Sequence, residues 1–435
     1  MTTARPRWTN WAGIASCEPA SIERPGSEEE IVQAVCAAAN AGRRVRVAGT
    51  GHSFTDICCT DGTLLRLDRC DRVIEIDHGR RRATVQGGIT IARLAEELDR
   101  RDLALPNLGD VTYQTISGAI STATHGTGEQ RRNIPSQVAG LSLVLGDGRV
   151  LRCSPENDAG TFEVARVGLG ALGVISDVTL QCEPAFNLRS VEEPQRLDEV
   201  LEAFDDLAAG NEHFEFFWFP HTEVAQTVRN NRTDEPARPR NRLASYVDDI
   251  LLENHAFELT QQLGRLRTGW IPGLAGFTAR LLSRSEVVDR GHRIFANERL
   301  VRFAEMEYAI PRKHVVDAVR EVRAMIARLD LRISFPIEVR VLGGDDIPLS
   351  TAHGRDTAYI AVHVFWRLPY ERYFREVEAI MRDREGRPHW GKLHFQDARS
   401  LLPRYPLWDR FAAVRDRLDP DRRFTNSYLE RVLGS

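Results

Sequence analysis

A few residues in this chain stand where they could do chemistry. His52 ends the run Val45-Arg46-Val47-Ala48-Gly49-Thr50-Gly51-His52, where a β-branched strand gives way to a glycine turn. Gly49 and Gly51 let the backbone approach a ligand closely. A histidine on such a turn can bind a metal, move a proton or be joined to a cofactor. Glu338 and Arg340 lie two apart in Phe335-Pro336-Ile337-Glu338-Val339-Arg340-Val341. Residues i and i+2 share a strand face, so a carboxylate and a guanidinium project together. His363 interrupts the apolar run Tyr359–Phe365, where a lone histidine is commonly a satisfied core residue. Lys392, in His389-Trp390-Gly391-Lys392-Leu393-His394, is one of two lysines in the chain. Rarity where arginine is the default cation suggests that an ammonium itself is needed.

Two further segments could hold an extended polar ligand. Gly109 to Gly128 has few bulky residues and many hydroxyls, so its backbone and side chains can donate along such a ligand. Gly168-Leu169-Gly170-Ala171-Leu172-Gly173 is a second small-residue segment of this kind. Gly49-Thr50-Gly51 is not a dinucleotide fingerprint, because no third glycine and no helix follow it. Its consecutive amides can still form an anion-binding nest.

The surrounding pattern predicts an α+β chain. Ser27-Glu28-Glu29-Glu30 reads as a capping box before a helix over 31–40, and Gly42 ends it. Strands are predicted over 43–48, 63–67, 73–76 and 83–86, with a helix over 91–100. Residues 137–152 read as a hairpin turning at Asp147-Gly148, and 174–181 as another strand. Further on, 197–209 and 313–329 read as helices, and 214–219, 301–310, 337–341 and 359–365 as strands. The stretch from about Thr233 to Thr260 reads as a surface excursion. A hydrophobic fraction of 42%, a charged fraction of 28% and a net charge of −4 describe a soluble globular protein with no electrostatic footprint for nucleic acid. No run of 18 apolar residues predicts a transmembrane helix, and no secretory leader is evident. Seven scattered cysteines without a C-x-x-C point to reduced thiols, no zinc site and a cytoplasmic location.

Val47 to Ser53, Ser117 to Gly128, Phe335 to Arg340 and His389 to Lys392 together resemble the aldonolactone oxidoreductases. These are covalent flavoproteins of the vanillyl-alcohol-oxidase type, and they include gulonolactone and arabinonolactone oxidases or dehydrogenases and the alditol oxidases. Glu305-Met306-Glu307-Tyr308-Ala309-Ile310-Pro311-Arg312 and the closing Asp419-Pro420…Phe424–Leu429 fit the same group, so the likeness runs from about Trp11 to Leu429. The resemblance implies a two-subdomain FAD-binding module over 11–185, a substrate-binding α+β cap built on an antiparallel sheet over 186–402, and a segment over 403–435 that returns to the FAD module. It implies FAD joined covalently to His52. Val47, Ala48, Gly49, Thr50, Gly51 and Ser53 would wrap the pyrophosphate. Gln114, Ala119, Thr122, Ala123, Thr124, His125 and Ile175 would line the rest.

Under that reading the substrate is a sugar lactone, L-gulono-1,4-lactone or D-arabinono-1,4-lactone. The alternative is an alditol such as xylitol or sorbitol. Lys392 and Arg340 would stabilise charge developing on the reduced flavin. Glu338 would orient substrate hydroxyls, and His363 would take the hydroxyl proton. Oxygen or another acceptor would reoxidise the flavin. Ala123 stands where oxidases of the family often have glycine, which leans towards a dehydrogenase.

Overall fold

The computed structural model describes residues 5–238, 257–296 and 300–434. Most of the excursion expected near Thr233 to Thr260 lies outside the described residues.

After a two-stranded pair, Trp8–Thr9 with Ser16–Cys17, come three short parallel strands. Ser21–Glu23 (β1), Val45–Ala48 (β2) and Thr63–Arg66 (β3) pair in the order β1-β3-β2. The helix Glu28–Asn40 (α1) joins β1 to β2. Ser27 caps it by accepting a hydrogen bond from the Glu30 amide, and three glutamates in its first turn complement the helix dipole. The expected box is half formed, because the Glu30 carboxylate accepts from the Gly26 amide.

An antiparallel sheet follows, built from Val73–Asp77 (β4), Arg82–Gln86 (β5), Val138–Val144 (β6), Val150–Cys153 (β7) and Val174–Gln181 (β8), in the order β7-β6-β8-β5-β4. Gly148 makes the β6–β7 turn at φ +83°, a left-handed geometry that glycine adopts without strain. Helix Ile91–Asp99 (α2) buries Ile91, Leu94 and Leu98 in the core of this sheet. Ile116–Ser121 (α3) is a short helix inside the hydroxyl-rich stretch, capped by the Thr115 side chain. Composition alone does not announce it.

The largest sheet has eight strands: Asn187–Arg196 (β9), His213–Trp218 (β10), Val224–Thr233 (β11), Ser285–Arg290 (β12), Phe303–Pro311 (β13), Ile337–Leu342 (β14), Thr357–Phe365 (β15) and Arg387–Pro388 (β16). Their order is β12-β9-β11-β10-β14-β15-β13-β16. Between β11 and β12 the chain forms a helical hairpin, Phe257–Leu266 (α4) and Ile271–Leu281 (α5). The helix expected over 197–209 is two, Leu197–Glu202 and Phe204–Ala209, broken at Ala203.

Alternation gives the large sheet two unlike faces. Phe214, Phe216, Trp218, Met306, Tyr308, Val339, Ile360 and Val362 are buried with the apolar sides of Val315–Arg328 (α6) and Glu371–Arg382 (α7). Phe216 is fully buried, and truncating such a side chain to alanine costs about 3–5 kcal/mol. Glu215, Glu305, Glu307, Glu338, Arg340 and His363 occupy the alternate positions, so they share the other face. The helices Trp408–Leu418 (α8) and Ser427–Leu433 (α9) bury Trp408, Phe411, Tyr428 and Leu429 in the core that contains Val85, Leu141 and Val178. Among the described residues no helix is long and apolar enough to cross a membrane. All seven cysteines are free, with Cys70, Cys153 and Cys182 buried.

Candidate cofactor cleft and active site

A cleft lies against the turn after β2, helix α3 and the Gly168–Gly173 loop. Val47, Gly49, Thr50, Gly51, His52, Ser53, Gln114, Thr122 and Ile175, which the resemblance assigns to the cofactor, line it. Thr115, Ser117, Gly118 and Ser121 of the hydroxyl-rich stretch and Leu169, Gly170 and Gly173 of the second small-residue segment line it as well, together with Arg46 and Cys58, which had no expected role. Five expected residues do not. Ala48 packs with Trp8 and Leu64, because strand alternation turns it away from the cleft. Ala119 and Ala123 are in the core behind α3. Thr124 and His125 are buried beyond it, and His125 stacks on Tyr359 with ring centroids 3.6 Å apart.

The floor of the cleft is shaped by glycine. A Cβ on Gly49 would sit 2.5 Å from the Thr115 hydroxyl, and one on Gly173, at φ +153°, would sit 2.8 Å from the Val144 carbonyl. Arg46 lies beneath. Its guanidinium donates to the carbonyls of Ile57 (2.9 Å), Gly170 (2.8 Å), Leu169 (3.0 Å) and Phe424 (2.6 Å). Burial lowers its pKa to about 10, so it stays cationic at neutral pH. The Gln114 side-chain oxygen is buried and has no hydrogen-bond partner. A cation bonded to carbonyls, a glycine floor and an orphaned amide oxygen fit a dinucleotide's pyrophosphate and polar edges.

His52 stands at one end of this cleft. Its ring is stacked between Trp11 and Tyr113, with centroids 5.5 and 6.0 Å away. The Thr50 hydroxyl lies 3.1 Å from its Nδ1 and also donates to the Tyr113 carbonyl at 2.9 Å. Burial, and then the charge of Lys392, push the His52 pKa down to about 4. The imidazole is therefore neutral at physiological pH and keeps a nucleophilic lone pair.

The charged face of the large sheet meets the cleft at this end. The Phe54 amide donates to the Gly391 carbonyl at 2.7 Å, and the Lys392 ammonium lies 4.9 Å from the centre of the Phe54 ring. Lys392 pairs with Glu305, and His363 Nε2 lies 3.5 Å from the same carboxylate. His363 Nδ1 donates to the Pro336 carbonyl at 3.2 Å. Register explains the grouping: Glu305 is opposite His363, Glu338 opposite Ala361, and Arg340 is flanked by Glu215 and Tyr359. Arg340 pairs with Glu338, with Glu215 at 2.6 Å and with Asp110 at 3.4 Å. Burial opposes charge on Arg340, but Glu215, Glu338 and Asp110 outweigh it and hold the guanidinium protonated. Burial likewise raises the Glu305 carboxyl, and Lys392 and His363 more than reverse that.

A second buried row lies alongside. Glu307 is 3.2 Å from His125 Nε2, and His125 Nδ1 donates to the Gly126 carbonyl at 2.8 Å. His389 Nδ1 accepts from the Gly391 amide at 3.1 Å, and burial pushes its pKa down to about 3. His125, Glu307 and His389 bring potential ligand atoms within 4.8 Å of one another. Sequence reasoning had Glu305 and Glu307 only as part of a familiar motif, and it missed Glu215 and Asp110 altogether. Alternation around Phe214-Glu215-Phe216 was the available signal for Glu215.

Known proteins match the chain along nearly its whole length. Residues 19–154 match an FAD binding domain, and residues 178–432 match the D-arabinono-1,4-lactone oxidase family. An L-gulono-1,4-lactone dehydrogenase from Mycobacterium tuberculosis is 47% identical over 429 residues, which cover 99% of both chains. The L-gulonolactone oxidase of Bos taurus is 36% identical over 98% of each chain, and the alditol oxidase of a Streptomyces species is 31% identical over 98% of each. The crystal structure of a cholesterol oxidase from Brevibacterium sterolicum superposes with a TM-score of 0.84 at 17% identity, covering 99% of this chain and 97% of that one. That likeness shows the shared α+β fold of the vanillyl-alcohol-oxidase type, with its large antiparallel sheet. A family match over more than half of the chain, with relatives similar from end to end, establishes that the chain belongs to the D-arabinono-1,4-lactone oxidase family of FAD-dependent aldonolactone oxidoreductases.

Proposed function

We propose that this protein oxidises a ring hydroxyl of an aldonolactone, L-gulono-1,4-lactone or D-arabinono-1,4-lactone, with FAD held covalently by His52. The observation that carries the reading is the meeting of His52 with the Lys392, Glu305 and His363 group at one end of the cleft. We read residues 11–185 and 403–435 as the cofactor module and 186–402 as the cap.

FAD, when bound, supplies the two-electron acceptor; the protein supplies position and charge. Arg46 and the glycine floor hold the pyrophosphate, and Gln114 takes a polar edge of the cofactor. Arg340 and Lys392 present fixed cations where negative charge develops. Glu338 accepts hydrogen bonds from substrate hydroxyls and fixes the lactone's orientation. His363 takes the hydroxyl proton on Nε2, since its Nδ1 is committed to Pro336. The imidazolium so formed is stabilised by Glu305, 3.5 Å away. Ala123 is fully buried in a left-handed conformation, φ +61°, in the core behind α3 rather than on the cleft wall, and we read its methyl as narrowing an oxygen path through that core, which favours a separate electron acceptor.

Anaerobic titration of the yellow protein with lactones and alditols tests the substrate class. L-Gulono-1,4-lactone or D-arabinono-1,4-lactone should bleach the flavin at lower concentration than xylitol or sorbitol. Bleaching by alditols alone would overturn the lactone assignment. Acid-precipitated protein should stay yellow, and His52→Ala should give a colourless precipitate. Colour lost from the acid-precipitated parent would end the covalent reading.

A further inference from the structure

We infer that the α4–α5 hairpin docks on an anionic lipid surface. The described residues expose nine large hydrophobic side chains, and five of them (Leu259, Leu266, Trp270, Phe277 and Leu281) belong to this hairpin. Leu266 is 77% and Leu281 66% exposed, far beyond what a folded monomer needs to tolerate. The charge is as one-sided as the hydrophobicity. Apart from Glu258 in the first turn of α4, the hairpin has no aspartate or glutamate through Leu281, while Arg265, Arg267 and Arg280 carry positive charge in a chain whose net charge is −4; Arg284, just beyond it, lies 3.8 Å from Glu286. Residues 265–270, the end of α4 and the connection to α5, are all exposed, and the Arg267 guanidinium lies 5.6 Å from the Trp270 ring centre. Exposed leucine and tryptophan among arginines suit the boundary between headgroups and acyl chains.

Size decides the mode of contact. Helix α4 has 10 residues and α5 has 11, so each is about 15 Å long, half the hydrocarbon thickness of a bilayer. The hairpin can lie in the interface but cannot span it. Its root is fixed to the protein: Phe257 packs on Phe335 at 4.9 Å, and Gln261 donates to the Ser334 carbonyl at 3.1 Å. A second copy of the chain is a poor occupant, because it would set these arginines against their own equivalents. Phosphate headgroups complement them. Phe335 is in turn 6.2 Å from His363, so the docked face adjoins the charged face of the sheet.

Sedimentation of the FAD-loaded protein with vesicles tests this. The protein should pellet with equimolar phosphatidylglycerol and phosphatidylcholine at low salt, and much less with phosphatidylcholine alone. Arg265→Gln with Arg267→Gln should lower partitioning about 30-fold, at roughly fivefold per arginine. Leu266→Ser with Trp270→Ser should lower it on the order of 100-fold. Both double variants should oxidise lactone in vesicle-free solution like the parent, which shows that they are folded. Parent protein left in the supernatant with both vesicles would overturn the inference, as would variants that pellet like the parent. A parent that is dimeric without vesicle binding, and that Leu266→Ser with Trp270→Ser makes monomeric, would assign the patch to a second copy and also overturn it.

Discussion

Lys392 and Glu305 form a buried pair whose side chains are 17% and 7% exposed, and this makes the effect of separating them calculable. Two unit charges about 4 Å apart attract by about 4 kcal/mol at an effective dielectric of 20, and deleting one partner of a buried pair costs about 3–5 kcal/mol. Lys392→Met leaves the buried Glu305 carboxylate without its ammonium partner, so the expected loss lies in that range. Glu305→Gln should cost a similar amount, because it strands the ammonium. The double variant leaves neither charge stranded and should be more stable than either single variant, with a coupling energy of about 3 kcal/mol or more. Urea unfolding at neutral pH, followed by circular dichroism, measures all four proteins. Acid adds an independent check. The Glu305 carboxyl is held below its ordinary value in the folded protein, so it contributes stability above the unfolded value of about 4.3 that is lost as pH falls through the folded value. Lys392→Met should therefore lose less stability than the parent over that acid range. A double variant no more stable than Lys392→Met, or a coupling below about 0.5 kcal/mol, would refute the reasoning.

Ala123→Gly relieves a left-handed alanine, a gain of about 1–2 kcal/mol. It loses about 0.8 kcal/mol of methyl burial and about 0.4–1 kcal/mol to a looser unfolded chain. The melting temperature should move little while air reoxidises the flavin faster, and an unchanged reoxidation rate in stopped flow would count against the oxygen barrier. Gly49→Ala brings a methyl 2.5 Å from the Thr115 hydroxyl and should cost about 1–3 kcal/mol and loosen flavin retention. Thr115→Ala should rescue it, and failure of that rescue on gel filtration with flavin absorbance would point to a different clash. Burial holds His213 at about 4 and His389 and His394 at about 3, so each takes up its proton only on unfolding. Folded pKa values below the unfolded value of about 6.5 mean that stability falls as pH drops from there towards 4, by up to about 1.4 kcal/mol per unit for each histidine. A flat profile of unfolding midpoints over that range would contradict their buried, neutral state.

Local chemistry was legible where one segment carried it. The glycine turn before His52, the Glu338-x-Arg340 face and the unusual Lys392 were all readable from short-range spacing. Partners across strands were not, because register depends on pairing between segments far apart in the chain. Glu305 meets Lys392 across 87 residues, and Asp110 meets Arg340 from another part of the fold. Strands β9 and β11 escaped notice because polar residues such as Arg189, Glu192, Asn230 and Arg232 interrupt the apolar pattern that marks a strand. Helix α3 was too short and too rich in serine and glycine for periodicity to reveal it. Of the five expected cofactor contacts that fall outside the cleft, Ala48, Ala123, Thr124 and His125 belong to continuous stretches of which only one side faces a cavity, and Ala119, named singly, is on the core side of α3.

The Arg46 cradle has a consequence for the order of events during synthesis. One of its four carbonyls belongs to Phe424, the Val45 amide donates to Arg423, and the Asn426 side chain donates to the carbonyls of Asp56, Ile57 and Cys59. The wall of the cleft around the first strands is thus finished by residues made some 380 positions later. A nascent chain carries His52 long before it carries that wall, so capture of the flavin waits for the far end of the polypeptide.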